Sequence, residues 1–149
     1  MLPHLKAIFA ALHRHRVRYL VIGGIAGIVH GIPRATFDLD LWIEPAGENA
    51  KRLLRALEEA GLGTAALTTP EALLQHEITV FRDRIRVDVF TRIPGLDFAP
   101  AWSRRHQVEF QGTPIWVLSR KDLITAKKAS GRPQDLEDAR FLEAHGDSP

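Results

Sequence analysis

An α/β chain, with a short mixed β-sheet flanked by helices, is predicted by three patterns in the sequence. Apolar and polar residues alternate through 36–43 and again through 85–90, the period of a strand with one buried face. Leu5, Ile8, Phe9 and Leu12 recur at helical spacing near the start, and Leu136, Ala139 and Leu142 do so near the end. Neither pattern forms an internal repeat, and no linker or low-complexity tract divides the chain. Its 149 residues are therefore expected to form a single domain, 1–149, with a genuine core.

In order, the first helix is expected over about 3–15, followed by the basic run His13-Arg14-His15-Arg16. Such a run suits the dipole at a helix C-terminus, and contact with nucleic acid is its second reading. Val17 to Ile22 reads as a strand that runs into Gly23-Gly24. A short helix from about Ile25 to His30 follows, closed by Gly31 with Pro33 beyond. Residues 47–60 pattern as a helix with Ala50, Leu53, Leu54, Leu57 and Ala60 inward, ending at Gly61. Thr69-Pro70-Glu71 has the form of a cap and first turn. Ile78–Phe81 and Ile85–Phe90 read as strands about a turn at Asp83, and 92–103 as irregular chain. Val108–Phe110 and Ile115–Leu118 form a further hairpin around Gly112. Ser119 with Asp122 opens one closing helix, and Pro133 opens the other.

Composition narrows the function less. Hydrophobic residues are 45% and charged residues 26% of the chain, an ordinary globular balance, and the net charge of +2 does not announce a nucleic-acid binder. The absence of cysteine excludes disulfides and thiolate zinc sites. The opening apolar run is too short and interrupted for a signal peptide or membrane span, so a cytoplasmic protein is expected.

Chemistry concentrates between Val21 and Glu44. On the strand, Phe37, Leu39, Leu41 and Ile43 take one face, while Thr36, Asp38, Asp40 and Trp42 take the other. Two neighbouring carboxylates repel each other, and strands disfavour Asp. A divalent cation between them would reverse that balance. Alternatively they are simply a solvated strand face. Gly23-Gly24 lets backbone approach a bulky anion, and the helix after it would offer free N–H groups to a phosphate. An ordinary strand-to-helix turn has the same sequence, but its coincidence with an acid pair some twenty residues on is uncommon.

A third acid, Asp88, shares a strand face with Arg86 and Phe90, opposite Ile85, Val87 and Val89. If its strand lies beside that of Asp38 and Asp40, the three carboxylates could hold two Mg2+ ions in the manner of in-line phosphoryl displacement. Asp88 would then be an extra ligand, or the base that takes a proton from an incoming hydroxyl. Lys127 and Lys128 lie near a helix end, with Arg132 in the loop beyond. They are either solvating charges or, for Lys127, a cation facing the β- and γ-phosphates. Asp135 or Asp138 could orient Lys127 or Arg132.

Together these residues resemble the nucleotidyltransferase superfamily with the DNA polymerase β-like fold. The likeness is nearest its small prokaryotic branch, which includes abortive-infection and toxin–antitoxin toxins. It is carried by Gly23-Gly24, Ala26, His30-Gly31, the run Arg34-Ala35-Thr36-Phe37-Asp38-Leu39-Asp40, Asp88, Lys127, and Gly131-Arg132-Pro133 with Asp135 and Asp138. The resemblance implies a nucleotidyltransferase-like fold and Mg2+-dependent transfer of a nucleoside monophosphate from an NTP to a hydroxyl. It implies Asp38, Asp40 and Asp88 as metal ligands and catalytic residues. Gly23 and Gly24 would hold the triphosphate with help from Lys127 and Arg132, while Arg34 and Thr36 brace the strand or touch phosphate. Two departures stand out: Gly24 replaces a serine frequent in the superfamily, and Gln134 replaces a basic residue frequent in the branch.

The acceptor left open is RNA such as tRNA, a protein or a small molecule, and an antitoxin protein is the partner that the toxin branch implies. Two rivals remain: a non-catalytic binding or assembly module on the same fold, and a two-metal phosphohydrolase or nuclease.

Overall fold

The computed structural model describes residues 2–36 and 38–146; Phe37, expected among the inward set, lies outside the described residues. The strands are β1 (Tyr19–Ile22), β2 (Asp38–Ile43), β3 (Ile78–Arg82), β4 (Arg86–Phe90), β5 (His106–Phe110) and β6 (Thr113–Val117). They form one mixed sheet in the order β3-β4-β2-β1-β6-β5. β2 runs parallel to β4 and β1 parallel to β6, while the other neighbours are antiparallel. The α/β expectation is met, and each of the six expected strands is present.

Alternation decides which face of each strand is buried. Leu39, Leu41 and Ile43 on β2 and Val87 and Val89 on β4 are wholly buried, and each pair in register comes from the apolar set of both strands. Burying one such side chain contributes about 1.5–3 kcal/mol, so a slip by one residue, which would expose the whole set, is strongly disfavoured.

The helices are α1 (Leu2–Arg14), α2 (Gly23–Val29), α3 (Gly47–Glu59), α4 (Pro70–Gln75), α5 (Phe98–Ser103), α6 (Arg120–Ser130) and α7 (Pro133–Ala144), with a 3-10 turn at Gly63–Leu67. The apolar stripes predicted for α1 and α3 are buried, including Ile8, Phe9, Leu12, Leu53 and Leu57. Two caps act as expected. The Thr69 hydroxyl accepts from Ala72 N–H, and that of Ser119 accepts from Asp122 N–H. The Asp122 carboxylate does not complete a capping box, however, because it accepts from Arg104 instead.

The first strand begins at Tyr19 rather than Val17, since Val17 donates back to Leu12 in closing α1. The helix after it starts at Gly23, two residues early. The segment 92–103 is not wholly irregular: α5 occupies its end. Pro100 stands at the third helical position, where an amide would have no intrahelical partner anyway, so it does not break the turn. The last hairpin turns on Gln111 and Gly112, both at positive φ. Among the described residues, no helix is long and apolar enough to cross a membrane.

Candidate active site

Strand pairing brings the three acids together. β2 and β4 lie side by side and parallel, with Asp40 opposite Asp88 and Asp38 opposite Arg86. Residues in register share a face, so Asp38, Asp40 and Asp88 project to the same side of the sheet. Gly23 meets them from the end of β1, which pairs with β2 through Ile22 opposite Asp40. Its φ is +68°, and a Cβ added there would overlap the Asp40 carboxylate. Glycine is thus required twice, by backbone conformation and by the closeness of an acid. Gly24 abuts the Thr36 side chain, whose hydroxyl in turn accepts weakly from Asp38 N–H at 3.5 Å.

A matched pair of variants separates the two demands on Gly23. Gly131 has nearly the same φ, +70°, with open space where a Cβ would stand. Gly131→Ala is expected to cost about 1–2 kcal/mol from the left-handed backbone alone. Gly23→Ala should cost more in urea unfolding, because the carboxylate must also move. Equal losses would mean that the contact with Asp40 does not matter.

The electrostatics are uneven. Burial pushes the Asp40 carboxyl up to about 6, and the charges of Asp88 and Asp38 add to the rise. Arg86 is the counter-charge: its Nε donates to Asp88 Oδ1 at 2.9 Å and its Nη2 to Oδ2 at 3.2 Å. This arginine was visible in the sequence as a neighbour on the Asp88 face but was given no role. Period two places Arg86 and Asp88 on one face, and the side-chain conformation then pairs them.

On the other wall, α6 and α7 present cations. Lys127 is buried, and its Nζ donates to Asp138 Oδ2 at 3.0 Å and lies 3.6 Å from Asp135 Oδ1. Arg34 grips both oxygens of Asp138 at 2.7 and 2.8 Å. The Arg34 hydrogen bonds hold the Asp138 carboxyl below its ordinary range despite burial. Burial opposes ionisation of Asp135 too, but hydrogen bonds from Ser130 and Arg132 with the charge of Lys127 bring it down. Of the alternatives for these acids, Asp138 holds Lys127 and Arg34, while Asp135 holds Arg132. Arg34 therefore braces the approach to β2 through α7. Lys128 faces away, paired with Glu143.

Between the walls lies a cleft of about 360 Å³ lined by Gly23, Gly24, Arg34, Asp40, Lys127, Arg132, Gln134, Asp135 and Asp138. An adjoining recess of about 140 Å³ shares Gly23, Asp40, Lys127 and Arg132 but has apolar walls from Ile22, Phe90, Ile93, Pro94, Leu118 and Leu123. A polar cleft thus adjoins a smaller apolar slot. A larger hollow of about 460 Å³, beside His30, His106 and Lys121, has no carboxylate in its lining and belongs to another part of the surface. His30 itself is structural: its buried Nε2 donates to Leu118 O at 2.7 Å and ties the end of α2 to the entry of α6.

The hard oxygen donors of Asp38, Asp40 and Asp88 are of the kind that suits Mg2+. Among the described residues, no three acidic or histidine side chains are posed as a finished metal-binding group, and both Asp88 oxygens face Arg86. Asp88 would have to turn from Arg86 to join Asp38 and Asp40 around a divalent ion.

Residues 4–143 match the model of a family described as a nucleotidyltransferase of unknown function (DUF6036). The fold is similar to the crystal structure of a provisionally assigned nucleotidyltransferase from Thermotoga maritima, with a TM-score of 0.61 at 20% identity, covering 94% of this chain and 90% of that one. It is also similar to an antigenic nucleotidyltransferase-like protein from Paracoccidioides brasiliensis, with a TM-score of 0.51 at 16% identity, covering 96% and 74% of the two chains. At these identities the likeness concerns the fold. No curated protein matches the sequence significantly.

Proposed function

Since this chain belongs to that nucleotidyltransferase family, we propose that its acid face catalyses divalent-metal-dependent transfer of a nucleoside monophosphate from an NTP to a hydroxyl acceptor. The observation that supports this most is Asp40 opposite Asp88 on adjacent strands, with Gly23 pressed against Asp40 and a polar cleft beside them that carries Lys127, Arg132 and Arg34. Asp38, Asp40 and Asp88 would hold Mg2+, two ions in the full arrangement, which would screen the phosphates and favour an in-line displacement. The triphosphate would lie along Gly23 and Gly24 in the cleft, with Lys127 and Arg132 offsetting charge on the departing pyrophosphate. The acceptor oxygen attacks the α-phosphorus, the bond to the bridging oxygen of pyrophosphate breaks, and Asp88 is suited to take the hydroxyl proton. The apolar recess beside Asp40 has room for part of the nucleoside. The acceptor would be RNA such as tRNA, a protein or a small molecule. A toxin role in the cytoplasm, with an antitoxin partner, is the biological setting we favour.

Incubation with Mg2+ and each α-labelled NTP, with and without total tRNA, tests this. Label appearing on RNA, protein or a small acceptor with release of pyrophosphate is the expected result. Shortened, unlabelled RNA would mean a nuclease instead.

One observation favours the non-catalytic module: Arg86 already neutralises Asp88. The variant Arg86→Gln decides between an arginine that waits for metal and one that replaces it. If the arginine only waits, Mn2+ binding measured by calorimetry should tighten about fivefold in Arg86→Gln, the worth of a partly exposed ion pair. Arg86→Lys, which keeps charge but loses the two-pronged grip, should fall between. No measurable Mn2+ binding in any of the three proteins would favour the inert module.

A further inference from the structure

Five large apolar side chains are exposed among the described residues, and three of them, Leu67, Ile78 and Val80, belong to one edge of the sheet. β3 is the outermost strand there. Ile78 and Val80 are 46% and 41% exposed, and they stand in register with Phe90 and Asp88 on the face that carries the acids. The 3-10 turn lies against β3 and ends in Leu67, which is 84% exposed. The opposite edge is built differently. On β5 the exposed side chains are His106, Gln107 and Glu109, while Val108 and Phe110 pack back on the core.

Backbone direction adds to the contrast. Thr91 N–H donates to Glu77 O, and Asp83 N–H donates to Ile85 O. In an antiparallel pair the bonded positions alternate, so the odd-numbered residues of β3 bond to β4. Ile78, Val80 and Arg82 therefore turn their backbone groups away from the sheet. Among the described residues no strand receives them. Open edges are commonly blunted by Lys, Pro or a bulge. Ile78-Thr79-Val80-Phe81 carries no charge and no Pro, and its register with β4 is unbroken.

The row Ile78, Val80, Arg82 ends in an uncompensated charge. Arg82 stands directly opposite Arg86, in the class of cross-strand pair whose side chains lie closest. Like charges so placed repel. Asp88 pairs with Arg86, but Arg82 has no ion-pair partner among the described residues. A second copy of this chain would not supply one. Two-fold pairing of antiparallel copies sets even-numbered residues opposite even-numbered ones, and the acids at either end of β3, Glu77 and Asp83, are odd. Arg82 would meet no acid across that seam in any register.

From these observations we propose that the outer edge of β3 binds an extended segment of another protein as a further strand, with apolar side chains over Ile78 and Val80 and an acid against Arg82. Strand addition suits an edge whose backbone donors and acceptors are free and whose side chains alternate outward. Nucleic acid suits it less, because Ile78 and Val80 offer no ring on which a base could stack. Two strands separate this edge from β1, where Gly23 begins the cleft, so a docked segment leaves the cleft open. The inference concerns docking alone and stands whether or not the acid face transfers nucleotides.

The probe is a short labelled peptide of alternating Val and Thr with Glu at each end, which offers Arg82 an acid in either strand direction. Saturable binding to the full-length protein by anisotropy is expected, and none by a copy whose backbone amides are N-methylated. Val80→Pro removes an outward N–H while Thr79 and Phe81 keep the bonds to β4, so the protein should stay folded. It should weaken binding about tenfold, the worth of one ladder hydrogen bond at the upper end of the usual range. Arg82→Glu is the decisive variant. It should weaken binding several-fold and bind a peptide ending in Lys better than the wild type does, while thermal stability is equal or higher because Glu faces Arg86. Asp40→Asn should bind like the wild type, which separates docking from the acid site. Absence of saturable binding, equal binding of the N-methylated peptide, wild-type affinity in Val80→Pro or an unchanged charge preference in Arg82→Glu would each overturn the proposal. So would a dimer of the free protein, seen by sedimentation, that Val80→Pro dissociates, since the edge would then belong to a second copy.

Discussion

Asp40→Asn is expected to abolish nucleotidyl transfer while making the metal-free protein more stable at neutral pH. The two effects have one cause. Burial and the charges of Asp88 and Asp38 raise the Asp40 carboxyl from 3.8 to about 6. A folded-state value above the unfolded one means that the native protein binds more protons between pH 4 and 6. Stability therefore falls as pH rises through that window, and the penalty is complete above it. Two units correspond to about 3 kcal/mol, and partial exposure of the site reduces the figure to about 1–3 kcal/mol. Asparagine keeps the shape and removes the charge. Urea unfolding in chelator should show Asn at position 40 stabilising by that amount at pH 7–8 and by almost nothing at pH 4. Transfer should fall by about a thousandfold or more, since loss of an ion-holding group costs several kcal/mol in the barrier. Mg2+ should stabilise the wild type and not the variant. A variant with full turnover, or one less stable at pH 8 than the wild type, would remove Asp40 from the centre of the site.

The acid face was legible because a strand has a period of two. Asp38, Asp40 and Asp88 each stood opposite an apolar set, and β2 beside β4 follows once both apolar sets seek the same core. The same logic exposed Arg86, yet its hold on Asp88 depends on side-chain conformation, which spacing does not fix. Lys127 was readable as a cation near a helix end, whereas its burial against Asp138 was not. That contact needs α6 and α7 to pack together, eleven residues apart at the point of contact. The aromatic cluster around α5, where Phe98 meets Trp42 and Trp102 meets Trp116, was missed for a different reason. Pro94, Gly95 and Pro100 punctuate 92–103 so heavily that the six residues of α5 were hidden, and with them the platform that joins Trp42 to Trp116. Arg16 was read as part of a dipole-complementing run. Its positive φ appears only when the hydrogen bonds closing α1 are known.

Among the residues that line the cleft, Asp138 is the one whose loss should damage the fold most. It sits on α7 with its side chain only 5% exposed, and it receives Arg34 from the approach to β2 and Lys127 from α6. Three separate segments thus meet on one carboxylate. Asp138→Ala leaves Lys127, itself 9% exposed, with Asp135 at 3.6 Å as its remaining partner. Removing one member of a buried pair costs about 3–5 kcal/mol, because the other charge remains out of water. The value expected here is near 3 kcal/mol, since Asp135 takes up part of the charge, and for a chain of this size it lowers the melting temperature by about 6–12 °C. Arg34→Ala should cost nearer 1 kcal/mol, as Arg34 is partly exposed and Asp138 keeps Lys127. The pH signature is opposite to that of Asp40. The Asp138 carboxyl is depressed by its hydrogen bond from Arg34, so its contribution is present above the ordinary carboxylate range and is lost as pH falls through the lower folded value. The deficit of Asp138→Ala relative to the wild type should accordingly shrink in strong acid, where the deficit of Asp40 has already gone. A deficit that stayed constant down to pH 2 would mean that packing of α7, rather than the shared charge, holds this wall of the cleft in place.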